Sequence, residues 1–266
     1  MGTCKICKKE SEHISSFLGL CKNCILKKPE KALEIAKDAH KKSRERFGLT
    51  PTIPRDVDGL QCLGCGNECK IPEGEKGYCG LIENKNNKLI RLAGTKDKGL
   101  CEWYYDPLPT NCVSVEWCPA GTGCGYPKFA MKKGPEYGYN NLSVFYGSCN
   151  FNCLFCQNWH FKYMTKSLST LISAKELASK VNDKVTCICY FGGTPDPQLP
   201  HAIETSKIAL ESNKNRILRI CMETNGNSNW KLLKRFARIS FKSGGNIKFD
   251  LKFPRESPLN LALTGV

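Results

Sequence analysis

The second half of the chain alternates short apolar runs with amphipathic runs. The apolar runs predict strands at 142–148, 186–193, 217–226 and 246–253. Between them, apolar residues recur at helical spacing and predict helices at 173–182, 201–212 and 230–244. Strands that alternate with helices in this order indicate βαβ units and a parallel sheet. We therefore predict an α/β fold, a partial (β/α) barrel of the TIM type with about four β/α units.

The first half of the chain has a different pattern. Apolar residues recur at helical spacing from Pro29 to Phe47, with proline at the start and Gly48 after the end. From Cys62 to about Lys133 the chain is rich in Cys, Gly and Pro, which predicts a region that folds around metal sites as much as around a core. We divide the chain into a zinc-ribbon-like knuckle at 1–27, a basic helix and linker at 28–56, a Cys-rich metal-binding region at 57–140 and the α/β core at 141–266.

The composition indicates metal binding and gives expectations for location and partners. The 266 residues include 18 cysteines, and no apolar run reaches the length of a membrane span. The N-terminus MGTCKICKKE lacks the apolar stretch of a signal peptide, so we expect a cytoplasmic protein. Clustered cysteines in a reducing compartment indicate metal sites rather than disulfides, and iron–sulfur sites among them would require an anaerobic setting. The net charge of +15 favours an anionic partner such as nucleic acid, an acidic protein or an anionic cofactor, and also fits a solvated basic surface.

Each predicted strand ends in a distinctive short sequence. GSCNFNC follows the first strand, GGTP the second and ETNG the third, while DLK lies within the fourth. Because the carboxyl ends of parallel strands meet at one rim of a sheet, these four sequences predict an active site there.

The stretch GSCNFNCLFCQNW, residues 147–159, contains three cysteines and no fourth nearby. Cys149, Cys153 and Cys156 can bind three irons of a [4Fe–4S] cluster and leave the fourth iron without a protein ligand. The amino and carboxylate groups of a methionine-type molecule can chelate such an open iron, and one electron can then break the adjacent carbon–sulfur bond. The alternative is a three-cysteine half of a zinc site.

The motif C-x3-C-x-aromatic-C in CNFNCLFC resembles the signature of the radical S-adenosylmethionine superfamily. The resemblance implies a [4Fe–4S] cluster on the three cysteines and S-adenosyl-L-methionine as cofactor. It also implies a reductant such as ferredoxin or flavodoxin. The radical formed from the cofactor would abstract hydrogen from a substrate. No catalytic side chain is identified from the sequence.

The resemblance also implies a set of cofactor-binding residues. Gly192, Gly193 and Thr194 resemble the Gly-Gly-Glu-Pro segment of the family, whose backbone carbonyls receive the cofactor ammonium, with threonine in place of the acid. Asp250 and Lys252 resemble the D-x-K segment of the activating-enzyme branch, which includes pyruvate formate-lyase activase, and an ordinary charge pair is the alternative. The full set adds an aromatic residue beside the adenine and two groups for ribose or substrate: Phe155, Glu223 and Asn225.

Three further cysteine sets precede the motif. Cys4, Cys7, Cys21 and Cys24 form two C-x2-C knuckles that favour tetrahedral zinc, with iron as in rubredoxin as the alternative. Cys62, Cys65, Cys69 and Cys79 form a quartet that fits either zinc or an additional iron–sulfur cluster, and this leader resembles the AmmeMemoRadiSam-type branch. Cys101, Cys112, Cys118 and Cys124 form a looser set, either a metal site or scattered structural thiols.

Two classes of function follow. The first is a radical enzyme that activates or modifies a protein substrate, with RNA modification as its alternative. The second is a catalytically incomplete metal-binding or electron-transfer protein that needs a partner chain. Only four strands are predicted where a barrel of the resembled family has about six. The chain ends at LALTGV, where a further helix is due. We therefore expect a fragment or a half barrel.

Overall fold

A computed structural model of the chain describes residues 1–110 and 112–266 and has a mixed six-stranded sheet at its centre. Its strands are β1 (Gly99–Pro107), β2 (Asn140–Tyr146), β3 (Leu171–Ile172), β4 (Val185–Gly192), β5 (Arg219–Thr224) and β6 (Ile247–Phe249). The order across the sheet is β6-β5-β4-β2-β1-β3. Strands β2, β4, β5 and β6 run parallel, whereas β1 pairs antiparallel with β2 and β3 pairs antiparallel with β1.

The α/β class predicted from the sequence is confirmed, and the barrel remains a prediction. The four parallel strands are those predicted, shifted by a few residues at their ends. The antiparallel strand β1 comes from the region predicted to be Cys-rich and extends the sheet beyond β2. Its sequence, GLCEWYYDP, mixes aromatic and charged residues, so that no period-two alternation identified it.

The helices, in chain order, are α1 (Lys22–Lys27), α2 (Pro29–Glu45), α3 (Pro119–Thr122), α4 (Phe161–Ser167), α5 (Ala174–Ala178), α6 (Leu199–Ser212), α7 (Trp230–Ser243) and α8 (Pro258–Thr264). Local sequence explains several ends. Ser173 and Glu176 form a capping box at the start of α5. Asn229 Oδ1 accepts a hydrogen bond from the Leu232 amide at the start of α7, which ends at Gly244 in the left-handed conformation.

One face of the sheet packs against α5, α6 and α7. Alternate residues of β2, β4 and β5 point to this side and are buried: Leu142, Val144, Ile188, Tyr190, Ile220 and Met222. Leu233 and Phe236 of α7 meet them from the helix side. Period-two alternation along the strands therefore separates this core from the opposite face.

The opposite face carries polar and cysteine side chains and is covered by the connection between β1 and β2. We call residues 108–110 and 112–139 the inner-face segment. Its Leu108 and Ala120 pack on Cys187 of β4. Glu136 makes a buried ion pair with Arg219 of β5, with 2.6 Å between Oε2 and Nη2. The segment is thus anchored to the sheet by apolar contact and by charge.

The N-terminal part packs against α8 through its helices. Short antiparallel pairs occur at Gly2–Thr3 with Glu10–Ser11, Leu60–Gln61 with Lys70–Ile71, and Ile82–Asn84 with Leu89–Arg91. Helices α1, α2 and α8 share an apolar cluster that includes Ile25, Ala36 and Ala262. Among the helices of the described residues, none combines the length and apolar character needed to cross a bilayer.

A cleft at the strand ends and three thiol sets

The loops that follow the four parallel strands surround a cleft of about 760 Å³. The cleft is lined by every residue that the sequence predicted for the cluster and the cofactor: Cys149, Cys153, Cys156, Phe155, Gly192, Gly193, Thr194, Glu223, Asn225, Asp250 and Lys252. These residues come from four separate stretches of chain. The structure therefore brings them together where the carboxyl ends of parallel strands meet.

The three-cysteine loop is held by backbone hydrogen bonds to α8 and by one within the loop itself. The amides of Asn152 and Leu154 donate to the carbonyls of Thr264 and Leu263 in α8, at 2.8 and 2.9 Å. Cys149 Sγ accepts from the Phe151 amide at 3.3 Å. The loop conformation is thus fixed by backbone hydrogen bonds, and the cysteine side chains project from a supported frame.

The sulfurs of the three-cysteine motif are more widely spaced than the ligands of a single tetrahedral metal. The sulfurs of Cys149, Cys153 and Cys156 do not all lie within 4.8 Å of one another. Ligands around one tetrahedral metal with bonds of about 2.3 Å would lie about 3.8 Å apart. Burial raises the pKa of all three thiols, that of Cys153 to about 11, and Lys252 acts in the opposite direction on Cys153. Metal binding at this site would displace the thiol protons.

The glycines after β4 are required by packing within the protein. A Cβ on Gly193 would overlap the carbonyl oxygen of Ser148, and Gly192 adopts a φ of +110° against the backbone of Tyr146. The amide of Thr194 donates to that same Ser148 carbonyl at 2.8 Å. The two glycines thus allow β4 to end in direct contact with the three-cysteine loop.

Asp196 is a buried residue of the site that sequence reasoning missed. Its carboxylate accepts hydrogen bonds from the hydroxyls of Thr194, Thr224 and Ser228, that from Thr224 at 2.7 Å. The Thr194 hydroxyl is therefore engaged with Asp196. By joining the ends of β4 and β5, Asp196 fixes the floor of the cleft. A carboxylate two residues after GGT was the available signal.

A positive charge stands at the mouth of the cleft. Lys252 Nζ pairs with the carboxylate of Asp250 and lies 5.9 Å from the centre of the Phe155 ring. Phe155 is about half exposed and meets Phe253 edge-on. An aromatic face and an ammonium group beside three thiols can receive a ligand that has a flat ring and a carboxylate.

The inner wall of the cleft carries a second lysine that the sequence analysis did not single out. Lys248 Nζ lies 3.1 Å from Glu223 Oε1, 3.1 Å from Cys112 Sγ and 3.2 Å from Cys189 Sγ. Burial acts to lower the pKa of Lys248, but these neighbours raise it on balance. Glu223, predicted to bind ribose or substrate, is therefore already paired with Lys248 inside the protein.

The loose cysteine set predicted from the sequence is not brought together. Cys101 packs in the core between the sheet and its helices. Cys112 contacts Lys248 on the opposite face, and Cys118 packs near Cys187 on that face. Cys124 is exposed. The strands of the sheet separate Cys101 from the others, since alternate residues of a strand face opposite sides.

The N-terminal quartet has the geometry of a single-metal site. The sulfurs of Cys4, Cys7, Cys21 and Cys24 all lie within 4.8 Å of one another, with 3.8 Å between Cys7 and Cys21. That separation equals the one expected around a tetrahedral metal with bonds of about 2.3 Å. Burial acts to raise the pKa of Cys4, but backbone amides of Cys7, Cys21 and Ile6 lower it to about 6. A metal-binding Cys4 group is thus present.

Comparison with known proteins agrees with this site. Residues 143–246 match the model of the Radical SAM superfamily, so the chain carries a domain of that superfamily. The match begins in β2 and includes the three cysteines, GGTP and ETNG. An uncharacterized protein of Methanocaldococcus jannaschii is 30% identical over 104 residues, which is 39% of this chain and 25% of that protein. The chain thus aligns with about a quarter of the length of this relative. No solved structure matches the chain.

Proposed function

We propose that the chain is a radical S-adenosylmethionine enzyme. It binds a [4Fe–4S] cluster through Cys149, Cys153 and Cys156 and reductively cleaves S-adenosyl-L-methionine for hydrogen abstraction from a substrate. The observation that carries the proposal is the cleft of about 760 Å³, in which the three thiols meet the ends of all four parallel strands. The superfamily match over residues 143–246 supports it.

The chain's own groups would position the cofactor. The cluster, when bound, supplies the electron that breaks a carbon–sulfur bond of S-adenosylmethionine. Backbone carbonyls of Gly192 and Gly193 would accept hydrogen bonds from the cofactor ammonium. Lys252, which pairs with Asp250, would instead bind the cofactor carboxylate, and Phe155 would lie beside the adenine. Glu223 stays paired with Lys248 on the wall that faces the substrate, which keeps a carboxylate fixed there.

Asn225 contacts the three-cysteine loop, and this changes the role that we propose for it. Its side-chain amide donates to Asn150 Oδ1 at 2.8 Å and lies 3.7 Å from Cys149 Sγ. We therefore assign Asn225 to the support of the three-cysteine loop rather than to the ribose. A hydrogen bond toward a thiolate stabilises its charged form and tunes a cluster held by it.

The proposal extends to the substrate class and setting. We propose activation or modification of a protein substrate in an anaerobic cytoplasm, with ferredoxin or flavodoxin as reductant, on the basis of the D-x-K sequence at Asp250–Lys252. RNA modification is the alternative that the net charge of +15 favours. RNA that copurifies with the chain and leaves it as salt is raised would replace the protein-substrate proposal.

The test is production of 5′-deoxyadenosine. Protein reconstituted with iron and sulfide without oxygen is mixed with dithionite and S-adenosylmethionine, and the product is measured by mass spectrometry. The triple variant C149A/C153A/C156A should lose the product, whereas C124A, which removes an exposed thiol outside the cleft, should retain it. Equal product from the triple variant would refute the assignment. No product from wild-type protein with a spectroscopically confirmed cluster would favour the incomplete, electron-transfer protein.

A further inference from the structure

The quartet Cys62, Cys65, Cys69 and Cys79 lies directly beside the three-cysteine loop. All four thiols are buried. Ser148 Oγ, next to Cys149 in sequence, donates to the Cys79 carbonyl at 2.9 Å. Cys65 forms a β-bridge with Ser228, just after β5. The two thiol sets are thus neighbours, although at least 70 positions of sequence separate every member of one set from every member of the other.

The quartet and the N-terminal knuckle differ in the spacing of their sulfurs. Every pair within the quartet is close enough for its charges to interact. Yet, in the part of the chain that the structure describes, no three of its sulfurs lie within 4.8 Å of one another, unlike Cys4, Cys7, Cys21 and Cys24. A single zinc ion needs sulfurs about 3.8 Å apart. The wider spacing is shared with the three-cysteine motif, for which a multi-iron cluster is already proposed.

A buried cation lies near one member of each thiol set. Arg44 is fully buried, its guanidinium lies 3.6 Å from the centre of the Tyr78 ring, and it is within electrostatic reach of Cys79 and Cys149. Its Nη1 has no hydrogen-bond partner among the described residues. A buried cation is costly unless anionic groups stand near it. Clusters held by thiolates on both sides would provide them.

Four asparagines connect the quartet to the motif, and we call Asn67, Asn150, Asn225 and Asn227 the asparagine network. Asn67 Nδ2 donates to the Asn150 carbonyl, and Asn227 Nδ2 donates to Asn67 Oδ1, both at 2.7 Å. Asn225 Nδ2 donates to Asn150 Oδ1 and lies 3.7 Å from Cys149 Sγ, which extends the network to the three-cysteine motif. Asn67 and Asn150 are buried, whereas Asn225 and Asn227 are half-buried. Hydrogen bonds among the four hold the two loops in one fixed arrangement.

We propose that Cys62, Cys65, Cys69 and Cys79 hold a second iron–sulfur cluster, closed by four thiolates, and not a zinc ion. All of its irons have protein ligands, so that it binds no S-adenosylmethionine. It forms a second one-electron centre beside the proposed catalytic one. The metal assignment is tested separately from the proposed function, because the metal content of the quartet is measured without cleavage of S-adenosylmethionine.

The test is a metal count on anaerobically reconstituted protein, with iron, sulfide and zinc measured per chain. Wild-type protein should contain about eight irons and about one zinc, and C149A/C153A/C156A should retain about four irons and about one zinc. Electron paramagnetic resonance of the reduced triple variant should show a cluster signal that S-adenosylmethionine leaves unchanged. The wild-type spectrum should respond to the cofactor, and C124A should have the wild-type metal content.

A triple variant without iron would overturn the proposal, whether it contains about one zinc or about two. The reverse variant C65A/C79A gives an independent check. It should lose about half of the wild-type iron and keep the signal that responds to S-adenosylmethionine. Unchanged iron in this variant would also contradict the proposal. Failure of 5′-deoxyadenosine production would leave the iron count of the quartet unaffected, so that the two proposals are tested separately.

Discussion

Removal of Glu136 tests how the inner-face segment is attached to the sheet. Both oxygens of its carboxylate are occupied: Arg219 Nη1 and Nη2 donate at 2.8 and 2.6 Å, Thr186 Oγ1 at 2.7 Å and the Met131 amide at 2.8 Å. The Glu136 and Arg219 side chains are 0% and 1% exposed. Loss of one partner would leave a buried guanidinium without its counter-ion.

We expect Glu136→Ala to lower the free energy of unfolding by about 3–5 kcal/mol, the usual cost of breaking a buried pair. The double variant E136M/R219M removes both charges and should regain most of that loss, because methionines fill the space without a buried charge. The matched control is Glu211→Ala on α6, whose exposed partner Lys214 lies 3.8 Å away. It should change stability by less than about 0.5 kcal/mol.

Urea unfolding without oxygen, followed by far-ultraviolet circular dichroism, measures these differences if the denaturant slope stays constant. The pH dependence gives a second check. Burial acts to raise the pKa of Glu136, but Arg219 and the other donors lower it on balance. The pair therefore stabilises the fold above the ordinary glutamate pKa, and this contribution is lost as pH falls through the lowered value. A loss below about 1 kcal/mol in Glu136→Ala at neutral pH would refute the reasoning.

Three further predictions concern other buried groups. Burial lowers the pKa of His201 to about 4, so that unfolding becomes easier by about 2 kcal/mol between pH 7 and pH 5; His201→Gln should remove this slope in urea titrations. Asp196→Asn should cost about 1–3 kcal/mol, because one of three hydroxyls loses its acceptor, and should reduce 5′-deoxyadenosine yield; unchanged yield would contradict its place in the cleft floor. Cys7→Ala should release about one zinc per chain, as elemental analysis would show, and intact zinc content would exclude the N-terminal quartet as the site.

The strands and the cleft could be predicted because both depend on local pattern. Apolar runs such as TCICYFGG identify buried strands whatever their neighbours are, and parallel pairing then places their ends at one edge. The cleft residues were found from short sequences at the strand ends and from their resemblance to the radical S-adenosylmethionine signature. None of these steps required a long-range contact to be known.

The features that were missed depend on contacts between distant parts of the chain. Nothing near Glu136 indicates that it pairs with Arg219, 83 positions later. The same holds for His201, which is buried against the Tyr146 hydroxyl at 2.8 Å and looks like any polar helix residue in sequence. The structure does not bring the loose cysteine set together, because closeness in sequence does not imply closeness in the fold. Proximity along the chain grouped Cys101 with Cys112, and the sheet then separated them.

The three-cysteine loop is connected to the N-terminal half of the chain by α8. Leu154, within the motif itself, packs against the apolar cluster shared by α1, α2 and α8. His40 of α2 bonds to the Ala262 carbonyl at 3.1 Å, and Asn152 Nδ2 bonds to His40 Nδ1 at 2.9 Å. Because α1 begins directly after Cys21 and contains Cys24, a metal bound by the four thiols of the knuckle would fix the start of this helical cluster. Metal binding at the knuckle would therefore support the conformation of the loop that carries Cys149, Cys153 and Cys156, although the knuckle lies outside the cleft.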